Sequence, residues 1–100
     1  MAKPIVLTQL AIEDYETIIN YLEANWGPKV TNDFIDRFDQ FLILLAENTS
    51  IYAFVDSVKR MQRCVLTKHN ILYFIESDEI VKIITIFDTR QDPQKLTKII

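Results

Sequence analysis

From residue 9 to residue 24 an apolar side chain returns every third or fourth position. Ala11, Tyr15, Ile18 and Leu22 mark the stripe, with Ile12 and Ile19 beside it. That spacing predicts an amphipathic helix, and Thr8 stands where an N-cap is needed. Glu13, Asp14 and Glu16 gather in its expected first turns, where the helix dipole favours acids. Ahead of it "PIVLT" reads as a short strand. Gly27 ends the helix and Pro28 opens another, so "WGPK" is a compact corner between two helices. The second helix carries Val30, Phe34, Phe38, Phe41, Leu42 and Leu45 on one face and fades near Asn48. Asp33, Asp36, Arg37, Asp39 and Gln40 fall largely on the other. The Phe34–Phe38–Phe41 stripe is read as core.

After the connecting segment "TSIYAFVDS" the period changes. "VKRMQRCVL", "NILYFI" and "EIVKIITIF" read as strands, joined by the hairpin-length turns "TKHN" and "ESD". In "DPQKLTKII", Asp92 is placed to cap a short C-terminal helix that begins with Pro93. The order β-α-α-β-β-β predicts an α+β fold, a helical hairpin packed on a small antiparallel sheet, in a single domain over residues 1–100. A sheet covered on one face only should alternate apolar and polar. Ile71 to Ile75 and Ile83 to Phe87 do not alternate. Both of their faces need cover. The helices supply one, and either the C-terminal "KLTKII" or a partner supplies the other, with self-association of the free chain as a further expectation.

Composition narrows the class. One hundred residues, 49% hydrophobic and 25% charged, make one globular domain with little core to spare. Cys64 is the only cysteine and His69 the only histidine, so neither a disulfide nor a recognisable zinc site is expected, and no cofactor is implied. No apolar run resembles a signal peptide or approaches the ~20 residues of a membrane span. A cytoplasmic protein without membrane association is the expectation. The net charge of −3 conceals a split: residues 1–56 carry three basic groups against nine acids, residues 57–100 eight against five. The split suggests a local anion-facing surface in the second half, and the uneven spread of charge usual in a short chain accounts for it equally well.

Motifs of the common enzymes are missing: no GxGxxG, P-loop, HExxH or nucleophile elbow occurs. Cys64 sits within an apolar strand and is read as an inert thiol. Better organised are Lys59, Arg60 and Arg63 on the first hairpin strand, Lys68 and His69 at its turn, and Arg90 in "TIFDTRQD" just past the last strand. Arginines on a sheet surface suit phosphate or carboxylate. Charged protection of an edge strand explains them equally well. Whether Arg60 and Arg90 converge depends on the sheet register, which the sequence leaves open.

With these residues in place the chain resembles the RelE/ParE superfamily of bacterial type II toxin–antitoxin systems. The likeness runs through Arg60–Met61, through His69–Asn70–Ile71–Leu72–Tyr73, and through Arg90–Gln91–Asp92–Pro93, in order and over nearly the whole chain. The resemblance implies a growth-inhibiting, plasmid-stabilisation-like toxin neutralised by a cognate antitoxin that wraps a segment over it. Lys59, Arg60, Arg63, Lys68, Tyr73 and Arg90 are then the candidates for contact with target or antitoxin. The family divides into gyrase poisons of ParE type and ribosome-dependent mRNA endonucleases of RelE type. For a nuclease the candidate catalytic residues are Arg60, Arg63, His69 and Arg90, because cutting RNA through its 2′-hydroxyl needs proton transfer and cations around the phosphate. This chain departs from the nuclease pattern. Its pI is about 5.0, and neither Tyr nor His follows Tyr73. The expectation is a toxin that acts by binding a target such as DNA gyrase. The alternatives are an mRNA endonuclease and an inactive member kept as an antitoxin-binding module.

Overall fold

The computed structural model describes residues 2–100. In chain order the elements are β1 (Ile5–Leu7), α1 (Gln9–Trp26), α2 (Pro28–Glu47), β2 (Phe54–Asp56), β3 (Met61–Thr67), β4 (Asn70–Glu76), β5 (Val81–Asp88) and α3 (Pro93–Ile99). The strands form one five-stranded sheet in the order β1-β5-β4-β3-β2. The α+β helical hairpin on a sheet is as the sequence predicts. The sheet is mixed, however, because β1 lies parallel to β5 while the other pairs are antiparallel. The α1–α2 hairpin between β1 and the rest of the sheet makes that parallel return possible.

Local chemistry explains the element ends. The Thr8 hydroxyl accepts from the Ala11 N–H at 3.1 Å, capping α1. Since α1 starts at Gln9, its first turn holds no acid, and Glu13, Asp14 and Glu16 lie further along it. Gly27 has φ 83°, a conformation that suits glycine, and Pro28 then opens α2. The Asp92 carboxylate accepts from the Gln94 N–H at 3.0 Å and caps α3, as predicted.

Two boundaries differ from the sequence reading. β2 arises within the segment read as a connection, and β3 begins at Met61 rather than at Val58. The cause is the Asp56 side chain, which accepts from the N–H groups of Val58 and Lys59 at 3.0 Å each and curls residues 57–60 into a turn. Arg60 completes that turn at φ 60°.

Both faces of the central strands are covered. On the helical side Phe34, Phe38, Leu45, Leu72, Phe74 and Ile83 form the main core, with Tyr15 packed 4.7 Å from Phe38 between ring centroids. On the opposite side Met61, Tyr73 and Phe87 form a smaller cluster, against which Leu96 and Ile100 of the C-terminal segment pack. The Lys59 ammonium donates to the Ile100 carbonyl oxygen and ties down the end of the tail. Of the two covers that the sequence left open, the chain thus supplies its own for this cluster. Among the described residues no helix is long and apolar enough to cross a membrane.

Candidate functional site: a cleft between the helical hairpin and the end of the sheet

A cleft of about 580 Å³ opens where α1 and α2 overhang the β3–β4 turn and the end of β5. Ile18, Leu22, Phe34 and Ile86 give it an apolar floor, and Tyr21 and Trp26 stand at it as exposed aromatic rings. Asp14, Asp33, Arg37, Asp88 and Arg90 line it as charged groups, with the His69 imidazole beside them. A volume of this size suits a small ligand or a few anchoring side chains of a partner.

The acids of the cleft are already engaged. Asp14 accepts hydrogen bonds from Thr85 and Ile86 of β5. Asp33 pairs with Lys29 at 3.1 Å. Asp88 holds Arg90 in a two-point pair, Nε to Oδ1 at 3.0 Å and Nη2 to Oδ2 at 2.8 Å, and also accepts from the Arg90 N–H at 2.9 Å. The guanidinium carbon lies 5.7 Å from the centre of the Tyr21 ring, within cation–π reach. Hydrogen bonds from the Arg90 side chain hold the Asp88 carboxyl below its ordinary range, against the opposing effect of burial. Arg90 is correspondingly bound more firmly to its proton. Among the described residues Arg37 and His69 have no carboxylate within ion-pair distance. The uncommitted charge facing the cleft is therefore the Arg37 guanidinium.

The register decides what the sequence could not. Met61 pairs with Ile75 and Ile75 with Lys82, whereas Asn70 pairs with Asp88. Arg60 and Arg90 are consequently at opposite ends of the sheet, separated by roughly six residue steps along β5, about 20 Å at ~3.3 Å each. Arg60 borders a separate polar hollow with Lys3, Glu76, Ser77 and Asp78. There Lys3 pairs with Glu76 at 2.9 Å, and Thr49 and Lys3 together hold the Glu76 carboxyl below its usual range. Arg63 lies opposite Tyr73 on β3, exposed on the tail side of the sheet. Only His69 and Arg90 of the four catalytic candidates share the cleft.

The remaining candidates fall outside it. Lys68 is exposed in the turn, Lys59 holds the tail, and Tyr73 is 5% exposed beneath the tail-side cluster. Cys64 belongs to the helical-side core, where burial pushes its thiol up and its hydrogen bond with Tyr52 only partly offsets this. The cleft residues not anticipated are Asp14, Tyr21, Trp26, Arg37 and Asp88. Arg37 and Asp14 resemble ordinary solvated helix charges in sequence, and no periodicity sets them apart.

The helical hairpin thus lies across a mixed five-stranded sheet, with Arg90, just past the last strand, set against Tyr21 of the hairpin. Residues 5–93 match the family described as the ParE toxin of the type II toxin–antitoxin system parDE, and the chain belongs to that family. Among solved structures it is similar to the chromosomal ParDE system of P. aeruginosa, with a TM-score of 0.72 and 13% identity over 87% of this chain and 96% of that one. It is also similar to the YoeB dimer of Staphylococcus aureus (TM-score 0.61, 14% identity, 87% of this chain and 97% of that one). The YoeB–YefM complex of the same organism gives 0.57 at 14% identity, with the same coverage. At such identities the likeness concerns the fold. No curated protein matches the sequence.

Proposed function

We propose that this ParE-family toxin inhibits growth by binding a protein target such as DNA gyrase, that a cognate antitoxin neutralises it, and that the cleft is its main contact surface. One observation carries the choice of binding over cleavage: the four groups a nuclease would need are divided between opposite ends and faces of the sheet. Phosphodiester cleavage requires its base, acid and cations within a few ångströms of one phosphate. Within the cleft, His69 and Arg90 remain together, which is the feature that favours the endonuclease alternative. Arg90, however, is already committed to Asp88, and its strengthened hold on the proton unsuits it to acid–base work. The cleft combines an apolar floor, exposed aromatic rings and an unpaired guanidinium, Arg37, a combination suited to holding apolar and acidic side chains of a protein.

The test is induced expression of the wild-type chain and of single variants. His69→Ala should still inhibit growth, whereas Arg90→Ala should not. Cells should show blocked replication and an SOS response, with mRNA intact. Codon-phased mRNA cleavage that disappears in His69→Ala would establish the endonuclease instead. A folded wild-type chain that leaves growth unchanged would mark an inactive, antitoxin-binding member.

A further inference from the structure

β5 changes phase partway along. Ile83 faces the helical-side core and Ile84 the tail-side cluster. In an unbroken strand with a period of two, Ile86 and Asp88 would share the face of Ile84. Instead Ile86 belongs to the helical-side core, Phe87 to the tail-side cluster, and Asp88 lines the cleft. The pairing locates the break. Phe74 lies opposite Ile83 but Tyr73 lies opposite Thr85, so β5 carries one extra residue, a bulge.

A bulge leaves polar groups without their ladder partners, and here α1 and its cap residue Thr8 supply replacements. β1 ends at Leu7, opposite Ile83, so beyond that point this edge of β5 has no neighbouring strand. The Thr8 hydroxyl donates to the Ile84 carbonyl at 2.7 Å. One oxygen of Asp14, Oδ2, accepts from the Ile86 N–H at 3.0 Å and from the Thr85 hydroxyl at 2.5 Å. Thr85 is 1% exposed, so no water replaces that acceptor cheaply.

We infer that Asp14 is a positioning residue: by holding the bulge in β5 from α1, it fixes the strand phase that turns Asp88, and with it Arg90, toward the cleft. Asp14 acts through the strand, since its hydrogen bonds go to Thr85 and Ile86 and not to the Asp88–Arg90 pair. Without the acceptor the buried Thr85 hydroxyl and Ile86 N–H are unsatisfied, and slipping the end of β5 by one residue removes the bulge. That slip exchanges the faces of every residue beyond it. Asp88 would then point to the tail side and the cleft would lose its arginine. Because both bonds use a single oxygen, the requirement is for an acceptor, and an amide oxygen meets it.

The inference gives the proposed contact surface its structural origin, but its test reads geometry and not toxicity. In the ¹⁵N-labelled full chain, the Arg90 Nε–H resonance reports the pair with Asp88, and amide exchange reports the strand. Asp14→Asn should keep the Arg90 resonance and an Ile86 exchange rate within about threefold of wild type. Asp14→Ala should lose the resonance and exchange Ile86 at least ~10-fold faster, while Leu72 and Phe74 stay protected. An Asp14→Ala protein that keeps both the resonance and the protection overturns the inference, as does Asp14→Asn behaving like Asp14→Ala. Should Asp14→Ala not fold, Thr85→Val removes one of the two bonds alone. Faster exchange confined to Ile86 and its neighbours then supports the inference, and equal acceleration at Leu72, or none at Ile86, overturns it. Loss of growth inhibition in Arg90→Ala, with the geometry unmoved in Asp14→Ala, would refute this inference while leaving the proposed function standing.

Discussion

Arg60 is the only non-glycine residue given a positive φ, 60°, among the described residues. A left-handed conformation brings Cβ close to the following carbonyl oxygen and costs an L-residue roughly 1–2 kcal/mol. Two variants separate that backbone cost from the side chain. Arg60→Ala and Arg60→Gly both remove the guanidinium and its attraction to Glu76, but only glycine relieves the conformation. Glycine also loses more chain entropy on folding, about 0.5–1 kcal/mol. The difference leaves Arg60→Gly more stable than Arg60→Ala by about 0.5–1 kcal/mol. In a domain of this size that corresponds to roughly 2–8 °C in Tm. Thermal unfolding followed by circular dichroism at one protein concentration measures it. Equal Tm values, or a lower one for glycine, would refute the assignment of strain to this turn. Growth inhibition supplies the second readout. Arg60 lies about 20 Å along the sheet from the cleft, so both variants should remain toxic if the cleft is the contact surface.

The other predictions address core, ion pair and tail. Phe38→Ala removes a ring that is 4% exposed and packed on Tyr15 and Phe34, and should cost about 3–5 kcal/mol, enough to lose folding and activity together; a denaturant midpoint close to wild type would contradict it. Asp88 and Glu76 have carboxyls held below their ordinary range, so each contributes stability that is present above the unfolded-state pKa, about 4, and is lost as pH falls through the lower folded value. Unfolding midpoints between about pH 2 and 6 should show this, with a shallower acid-side decline in Asp88→Asn; an unchanged profile would exclude the pair as a contributor. Truncation before Pro93 uncovers the Met61–Tyr73–Phe87 cluster and should increase binding of an apolar fluorescent dye and cause self-association on gel filtration, whereas a truncated chain that stays monomeric and dye-silent would show that the tail is not a needed cover.

Most of the fold could be read because its signals are local. The stripes of α1 and α2, the Thr8 and Asp92 caps and the Gly27–Pro28 corner each follow from residues within a few positions of one another. Even the double-sided burial of β4 and β5 was visible, as a failure to alternate. β2 was not, since three residues are too few to display a period. The extent of β3 depended on Asp56 reaching two N–H groups, a side-chain detail that composition does not reveal. The cleft was the least legible. Its members come from α1, α2, the β3–β4 turn, the end of β5 and the residues after it, and the bulge in β5 brings Asp88 into it. A one-residue offset in one strand thus outweighed everything the motif "TIFDTRQD" could say about where its arginine points.

The way Arg90 is held bears on what a surface like this can do. A free arginine loses about 0.5–1.5 kcal/mol of rotamer entropy when a partner immobilises it. Here Asp88 engages the Nε and Nη2 groups, and the Tyr21 ring lies beside the guanidinium, so much of that ordering has occurred before any partner arrives. The remaining N–H groups stay free to donate, on a plane whose orientation is fixed. Such a group accepts a carboxylate or a carbonyl from a partner at little further entropic cost. It is a poor proton donor for the same reason, because the carboxylate that orients it also strengthens its hold on its proton. Pre-orientation and acid–base reactivity are therefore opposed at this position, and the geometry of the Asp88–Arg90–Tyr21 group favours recognition.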